Sequence, residues 1–337
     1  MIPKNLEELW LGVEMRLLVT GGAGFIGSNF VRKVFDQTLT GFSKITVLDK
    51  LAYAGSKDSL KPVKQEGNYL FFEGDICDST IVNSLVSEVD AVINFAAESH
   101  VDRSIQSSAE FIHTNVTGVQ VLLDAIKASN RNIRFVQVST DEVYGSIDTG
   151  SWNEDAPLLP NSPYSAAKAG GELLARAYHR THGLDIVITR CSNNYGTHQF
   201  PEKLIPLFIT NLLEGKKVPV YGTGQNVRDW LHVDDHCRGI YAVLMKGKSG
   251  EVYNIGGGRE ITNNEITSLI LESMGADESS IEYVEDRKGH DLRYSVDWTK
   301  INRELGYEPQ VRFEDGLKQT IQWYRDNETW WKPLKNL

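Results

Sequence analysis

Short apolar runs recur through the first half of the chain, separated by longer stretches with a helical repeat. RLLVT (16–20), ITVLD (45–49), YLFFEGD (69–75), AVINFA (91–96) and IRFVQVST (133–140) are rich in Val, Ile and Phe, as strands buried on both faces are. Residues 24–36 and 109–129 bring apolar side chains round every 3.6 positions and predict amphipathic helices. Strand and helix alternating in this way predict an α/β fold, a Rossmann-type doubly wound parallel sheet. Ligands of such sheets sit at the carboxyl ends of the strands, so the chemistry is expected in the loops after these runs.

A helix over 161–182 and a strand DIVITR (185–190) continue the alternation. Beyond Tyr195 it loosens. Pro201, Pro206 and Pro219 punctuate the chain, EKLIPLFITNLLEG reads as an amphipathic helix and VYNIGG (252–257) as another strand, and helices are expected near 262–273 and 313–327. At 337 residues the chain exceeds what one core usually spans. The pattern divides it into an N-terminal extension (1–14), a dinucleotide-binding domain (15–195) and a smaller C-terminal α/β lobe (196–337). That lobe is expected to pack over the strand ends and to interleave partly with the sheet.

The loop after the first strand, TGGAGFIGS, opens a helix and spaces Gly21, Gly24 and Gly27 as G-x-x-G-x-x-G. The first glycine allows the tight turn, the second the approach of a pyrophosphate, and the third close helix–sheet packing. Backbone N–H groups and the helix dipole then hold the phosphates. Asp49 closes the second strand, 22 residues beyond Gly27. A carboxylate there accepts from ribose hydroxyls and repels a 2′-phosphate, which favours NAD over NADP.

Tyr164 and Lys168 form Y-x-x-x-K in a helix opened by Asn161, Ser162 and Pro163, and the i,i+4 spacing puts both on one face. A phenol ionises near ~10, and a neighbouring ammonium with a positive nicotinamide ring is expected to favour the phenolate. Tyr164 is then suited to take a proton from a substrate hydroxyl while the carbon gives hydride to NAD. The fifth strand runs into VSTDEVYG, where Thr140 can bond the same oxygen and Asp141 and Glu142 follow at once. Two adjacent carboxylates at a strand end suit an acid and a base with separated pKa values.

Composition excludes some classes. A formal charge of −10 argues against nucleic acid or an anionic membrane as partner, and no apolar run reaches the ~18 residues of a bilayer span. The first fourteen residues carry acidic charge and no apolar core, so they are not read as a secretory signal. Cys77, Cys191 and Cys237 are odd in number and widely spaced, which suits a reducing cytoplasm better than a disulfide framework. His232 and His236 flank Asp234 and Asp235, but no third ligand is evident. The expectation is a helix capped by one of the two aspartates, with no metal.

Taken together, these stretches resemble the extended short-chain dehydrogenase/reductase family. With LDKLAYAG, NFAAESHVDRS, SPYSAAKA, TRCSNNYG, FPEKLIP, NVRDWLHVDDH and DRKGHDLRY added, the chain is similar more narrowly to the dTDP-glucose 4,6-dehydratases over about residues 16–294. The resemblance implies NAD as cofactor, a dTDP-sugar as substrate, and a homodimer formed through helices near 103–129 and 161–182. It implies that Tyr164, with Thr140 and Lys168, oxidises the sugar C4 hydroxyl. Glu142 then removes the C5 proton, Asp141 protonates the departing C6 hydroxyl, and hydride returns to C6.

By the same resemblance Gly21, Gly24, Phe25, Ile26, Gly27 and Asp49 contact the cofactor. Asp75 and Ile76 meet its adenine end, Ala96, Ala97 and Ser99 line it, and Tyr164, Lys168 and Asn194 meet the nicotinamide side. Substrate contacts fall to Thr140, Asn193, Lys203, Leu204, Pro219, Tyr221 and Arg228. Asn263, Arg287, His290 and Tyr294 complete the nucleotide pocket, and Lys203 and Arg228 supply charge for the pyrophosphate. His100 is either a substrate contact or a packed loop histidine. The chain departs from the family's usual pattern at Lys288, where proline is common, and at the turn Gly196-Thr197-His198. Competing readings are a C4 epimerase, a decarboxylase or a GDP-mannose dehydratase on the same scaffold, and a non-catalytic NAD-binding protein. The adjacent carboxylates count against the epimerase.

Overall fold

The computed structural model describes residues 14–61, 63 and 67–335. The expected N-terminal extension therefore lies outside the described residues, Glu14 excepted. The first six strands are β1 (Met15–Thr20), β2 (Phe42–Asp49), β3 (Tyr69–Glu73), β4 (Ala91–Asn94), β5 (Arg134–Thr140) and β6 (Ile186–Cys191). The later ones are β7 (Asn193–Tyr195), β8 (Val218–Tyr221), β9 (Val227–His232), β10 (Val252–Ile255), β11 (Glu260–Thr262) and β12 (Ile281–Val284). Seven of them form one sheet in the order β10-β6-β5-β4-β1-β2-β3, every pair parallel.

The continuous apolar runs follow from burial on both faces. Leu17, Val19, Ile45, Val47, Ile93 and Val136 point to one side, against Phe30 and Val31 of helix Phe25–Phe35 and Ile240 and Val243 of helix Val233–Lys246. Leu18, Leu48, Val92, Phe135 and Ile188 point to the other, against Val82, Leu122, Leu123 and Ala175. Fully burying each such aliphatic side chain contributes about 1.5–3 kcal/mol. The strand order reverses at β1, whose neighbours are β2 and β4. The crevice beyond their carboxyl ends is where a doubly wound sheet binds its ligand.

The region 109–129 is not one regular helix. It runs as Ala109–Ile112, a π-helical stretch His113–Gly118, and Val119–Ala128. The wide turn faces helix Pro163–His182, where a side chain on Gly171 would collide with the Asn115 carbonyl. It also aims Asn115 at the loop after β4. Asn115 Oδ1 accepts from the Glu98 N–H, and Asn115 Nδ2 donates to the Glu98 carbonyl, each at 3.0 Å. A hydrophobic repeat does not register this insertion, because the apolar spacing survives on either side of it.

The chain past Tyr195 builds two small sheets, β11-β9-β7 and β12-β8, around a core of Phe208, Ile209, Trp230, Ile266, Phe313 and Trp331. Yet β10 returns to the large sheet and pairs with β6 from Val252↔Ile188 to Ile255↔Cys191. Helix Val233–Lys246 begins at His232, not under an aspartate cap as expected. Nδ1 of His232 accepts from the Asp234 N–H at 3.2 Å. Asp234 pairs instead with Lys33 at 3.0 Å and Asn29 at 2.9 Å, while Asp235 holds Arg238 and the backbone of Gln310 and Val311. Both aspartates are thus engaged by partners elsewhere in the fold, Asp234 by Asn29 and Lys33 and Asp235 by Gln310 and Val311.

Candidate active site

The glycine loop leaves β1 at the switch point and turns under the start of helix Phe25–Phe35. Gly21 sits at φ +68, where a Cβ would lie 2.5 Å from the Ala96 nitrogen. Both the left-handed backbone and the contact with the β4 loop therefore exclude any other residue. Gly27 packs on the Gly21 carbonyl. Gly24 precedes the helix, and a side chain there would meet only the Gly21 carbonyl at 3.3 Å, so its methyl would fill the cleft instead of touching protein. Asp49 locks the loop from below, accepting from the Ala23 N–H and the Leu51 N–H, each at 2.8 Å.

One cleft gathers Gly21, Gly24, Phe25, Ile26, Gly27 and Asp49 with Asp75, Ile76, Ala96, Ala97 and Ser99. The same cleft continues to Thr140, Asp141, Glu142, Tyr164, Lys168, Asn193, Asn194 and Lys203. Every residue assigned to the cofactor lines it, as do all five assigned to chemistry. A strip of small residues at the switch point, an acid at the end of β2 and buried polar groups at the far end fit NAD.

At that far end Thr140 finishes β5 and caps the 3₁₀ turn Asp141–Tyr144, its hydroxyl accepting from the Glu142 N–H at 3.3 Å. Helix Pro163–His182 starts in a capping box between Ser162 and Ser165, with Pro163 in its first turn. This presents Tyr164 and Lys168 to the end of β5. The Tyr164 N–H donates to the Ser104 hydroxyl at 3.2 Å, and its ring meets Phe111 edge-on at 6.4 Å.

The electrostatics separate the two carboxyl groups. Asp141 is buried, with 2% of its surface exposed, and burial together with Glu142 and Asp229 holds its carboxyl well above the usual range. Its Oδ2 has no hydrogen-bond partner among the described residues. Burial raises Glu142 too, but Arg287, Arg228 and Lys203 all pull it back towards the carboxylate. Asp141 is thus the member of the pair held more strongly towards its protonated form, and Glu142 the more readily ionised one.

The phenol departs from the expectation drawn from sequence. Burial, Glu142, Cys191 and Asp141 push Tyr164 well above an ordinary tyrosine, and only its hydrogen bond with Thr140 works the other way. Lys168 donates to the Val138 carbonyl at 2.7 Å, and burial lowers its ammonium to about 8. The lysine is held by the backbone of β5, and burial, followed by the nearby acidic groups, sets the direction of the shift at Tyr164.

The remaining predicted residues lie outside the lining of that cleft. Arg228 is buried in β9, donating to the carbonyls of Val227 and Asp291 at 2.7 and 2.9 Å, with its guanidinium 4.4 Å from the Tyr294 ring centroid. Tyr294 in turn donates to Asp291 at 2.5 Å. His290 pairs with Asp286 at 2.6 Å and lies edge-on to Tyr221 at 6.4 Å. Arg287 stands 3.9 Å from Asp102. Asn263 opens helix Asn263–Met274, Leu204 opens helix Leu204–Leu213, and Pro219 lies within β8. Of these, Arg228 and Arg287 act electrostatically on Glu142. His236 is directed at Asn194, Nδ1 to Oδ1 at 3.0 Å, and so orients a cleft residue.

His100 caps helix Val101–Gln106 and faces Glu202 at 3.4 Å. The cleft also contains Tyr53, Cys191, Gln199, Phe200 and Glu202, which motif reasoning passed over. The signal was present, since Tyr53 belongs to LAYAG and Glu202 to FPEKLIP, but only Lys203 and Leu204 of the latter drew attention. Of the two departures, Lys288 is exposed, whereas His198 stands at φ +64 with its ring 4.2 Å from Trp323. The unusual turn is thus seated on helix Phe313–Asp326.

The family model for GDP-mannose 4,6 dehydratase matches residues 18–320. A dTDP-glucose 4,6-dehydratase of Streptomyces niveus is 59% identical over 96% of this chain and 96% of its own length. One from an Actinoplanes species is 57% identical over 94% of this chain and 100% of its own. The crystal structure of DesIV, a dTDP-glucose 4,6-dehydratase of Streptomyces venezuelae with NAD bound, superposes with a TM-score of 0.94 at 58% identity. That match covers 95% of this chain and 100% of the other.

Proposed function

The chain belongs to the GDP-mannose 4,6 dehydratase family, and on that footing we infer that it is a dTDP-glucose 4,6-dehydratase, an NAD-dependent hydro-lyase forming dTDP-4-keto-6-deoxyglucose. The adjacent carboxyl groups of Asp141 and Glu142 beside Tyr164 carry this reading: burial raises both, and only at Glu142 do three cations oppose it. A C4 epimerase has no use for such a pair.

Gly21, Gly24, Gly27 and Asp49 hold NAD, which when bound supplies a reversible two-electron acceptor for the sugar. Tyr164 takes the proton of the C4 hydroxyl, with Thr140 bonding the same oxygen and Lys168 adding positive charge. The C5–H bond becomes acidic only once a carbonyl stands at C4, which fixes the order of events. Glu142 then removes the C5 proton, and the cations around it favour the carboxylate that does so, against the effect of burial. Asp141, whose surroundings favour its protonated form, delivers a proton to the leaving C6 hydroxyl, so the elements of water depart. Reduction at C6 and protonation at C5 complete a reaction with no net redox change.

Incubation with dTDP-glucose in deuterated water tests the scheme. The expected product is the 4-keto-6-deoxy sugar with one deuterium at C5 and no accumulated NADH. A C4-epimerised sugar without label at C5 overturns it.

Two further readings rest on specific features. The three cysteines are all free thiols, which suits the cytoplasm. No helix among the described residues is long and apolar enough to cross a membrane. A homodimer is supported by Ile105, Ile112 and Leu173, exposed at 37%, 52% and 54% in the two regions that the resemblance assigns to the contact.

A further inference from the structure

Gln199, Phe200, Glu202 and Lys203 line the cleft, and this segment is bound to two of its banks. One bank is the loop after β2, the other the loop after β4 with helix Val101–Gln106. Glu202 is the joint between them. Its Oε1 accepts from the Tyr53 hydroxyl at 3.1 Å, on the first bank. Its Oε2 faces Nε2 of His100 at 3.4 Å and the Arg103 guanidinium at 3.6 Å, both on the second. Nδ1 of His100 accepts from the Arg103 N–H at 3.3 Å, so the neutral ring carries its hydrogen on Nε2, aimed at the carboxylate. Arg103 also lies 3.7 Å from the Tyr53 ring centroid, joining the banks directly. Beside this joint Lys203 adds a second strut, donating to the Ser99 carbonyl at 2.8 Å. Tyr53, Glu202 and Lys203 all line the cleft.

An enzyme that uses NAD as a co-substrate gains from releasing it at every turnover. A 4,6-dehydratase gains from the opposite, because electrons taken at C4 are needed back at C6. We propose that Glu202 is a positioning residue that ties the two banks over the bound dinucleotide and slows its escape between oxidation and reduction. The proposal rests on reading this cleft as an NAD site and extends that reading to how the cofactor is kept.

Holoenzyme loaded with NAD and mixed with an excess of fluorescent etheno-NAD gives the release rate directly. Release from Glu202→Gln is expected to be about 10-fold faster than from the wild type, as loss of a charge-assisted hydrogen bond implies. From Tyr53→Phe, which keeps the ring and its packing, about 3-fold faster release is expected. The double variant should release no faster than Glu202→Gln alone, because the two changes break one joint. Turnover of Glu202→Gln should also come to depend on added NAD. Wild-type release from Tyr53→Phe and Glu202→Gln overturns the proposal, and so does a double variant in which the two effects multiply. A chain that binds no NAD removes both this proposal and the function. Release rates as expected from a protein that leaves dTDP-glucose unchanged remove the function alone.

Discussion

At the scale of single residues the site is a set of neighbours with unlike surroundings. Asp141 and Glu142 are adjacent in sequence, yet the second faces three cations and the first faces two carboxylates. Glu142→Gln is expected to abolish solvent exchange at C5 while leaving C4 oxidation detectable as bound reduced cofactor, with turnover down about 10²–10⁴-fold. Undiminished exchange takes Glu142 out of its role. Lys168 invites a test of stability against function. Its folded pKa is lowered to about 8, so the burial penalty is fully present below that pH. Between about 8 and the ordinary lysine value the unfolded chain binds a proton that the folded one has released, and wild-type stability gains through that window. Lys168→Met removes a penalty of about 3 kcal/mol and loses one hydrogen bond to Val138. It should therefore melt no lower than the wild type at pH 7, lose that advantage towards pH 10, and be inactive. A clearly lower melting point at pH 7 contradicts the account.

At the scale of elements, the proposed chemistry depends on how helix Pro163–His182 is fixed against the turn after β5. The fixing is done by Arg190 of β6, fully buried, whose Nε bonds both oxygens of Glu172 at 3.1 Å and whose Nη1 donates to the Tyr144 hydroxyl at 2.6 Å. Glu172 lies one turn beyond Lys168, and Tyr144 two residues beyond Glu142. Removing one partner strands the other charge, so Arg190→Met alone should destabilise by about 3–5 kcal/mol in chemical denaturation. Arg190→Met with Glu172→Leu should restore most of that stability without restoring the rate, and recovery of both would show the pair to be structural only. None of this pair was legible in the sequence, where Arg190 ends an apolar run and Glu172 lies in a helix. Strands and helices were legible because double-faced burial demands unbroken apolar runs. The glycine turn and Tyr164-x-x-x-Lys168 were legible because their chemistry fixes local spacing. The partners of Glu202 were not, since Tyr53, His100 and Arg103 lie far along the chain, and the His232 cap was not, since Asp234 and Asp235 beside it are the residue types that usually cap.

At the scale of the molecule, Ile112 and Leu173 are exposed apolar side chains on the helices Ala109–Ile112 and Pro163–His182. Leu173→Glu with Ile112→Glu is expected to shift the proposed dimer to monomer in sedimentation velocity without unfolding the chain, because both side chains are already more than half exposed. A wild-type protein that sediments as a monomer at micromolar concentration removes the dimer.

The return of β10 to the edge of the large sheet has a consequence for biogenesis. During synthesis the ribosome delivers β1 to β6 well before Val252–Ile255 emerges, and until then β6 offers an unpaired edge. A nascent chain stopped after Tyr195 should consequently be prone to edge-to-edge association and bind cofactor poorly, even though it already holds the whole glycine turn with Tyr164 and Lys168. Supplying residues 196–337 as a separate polypeptide should rescue it, because the missing strand needs no covalent link to find its partner.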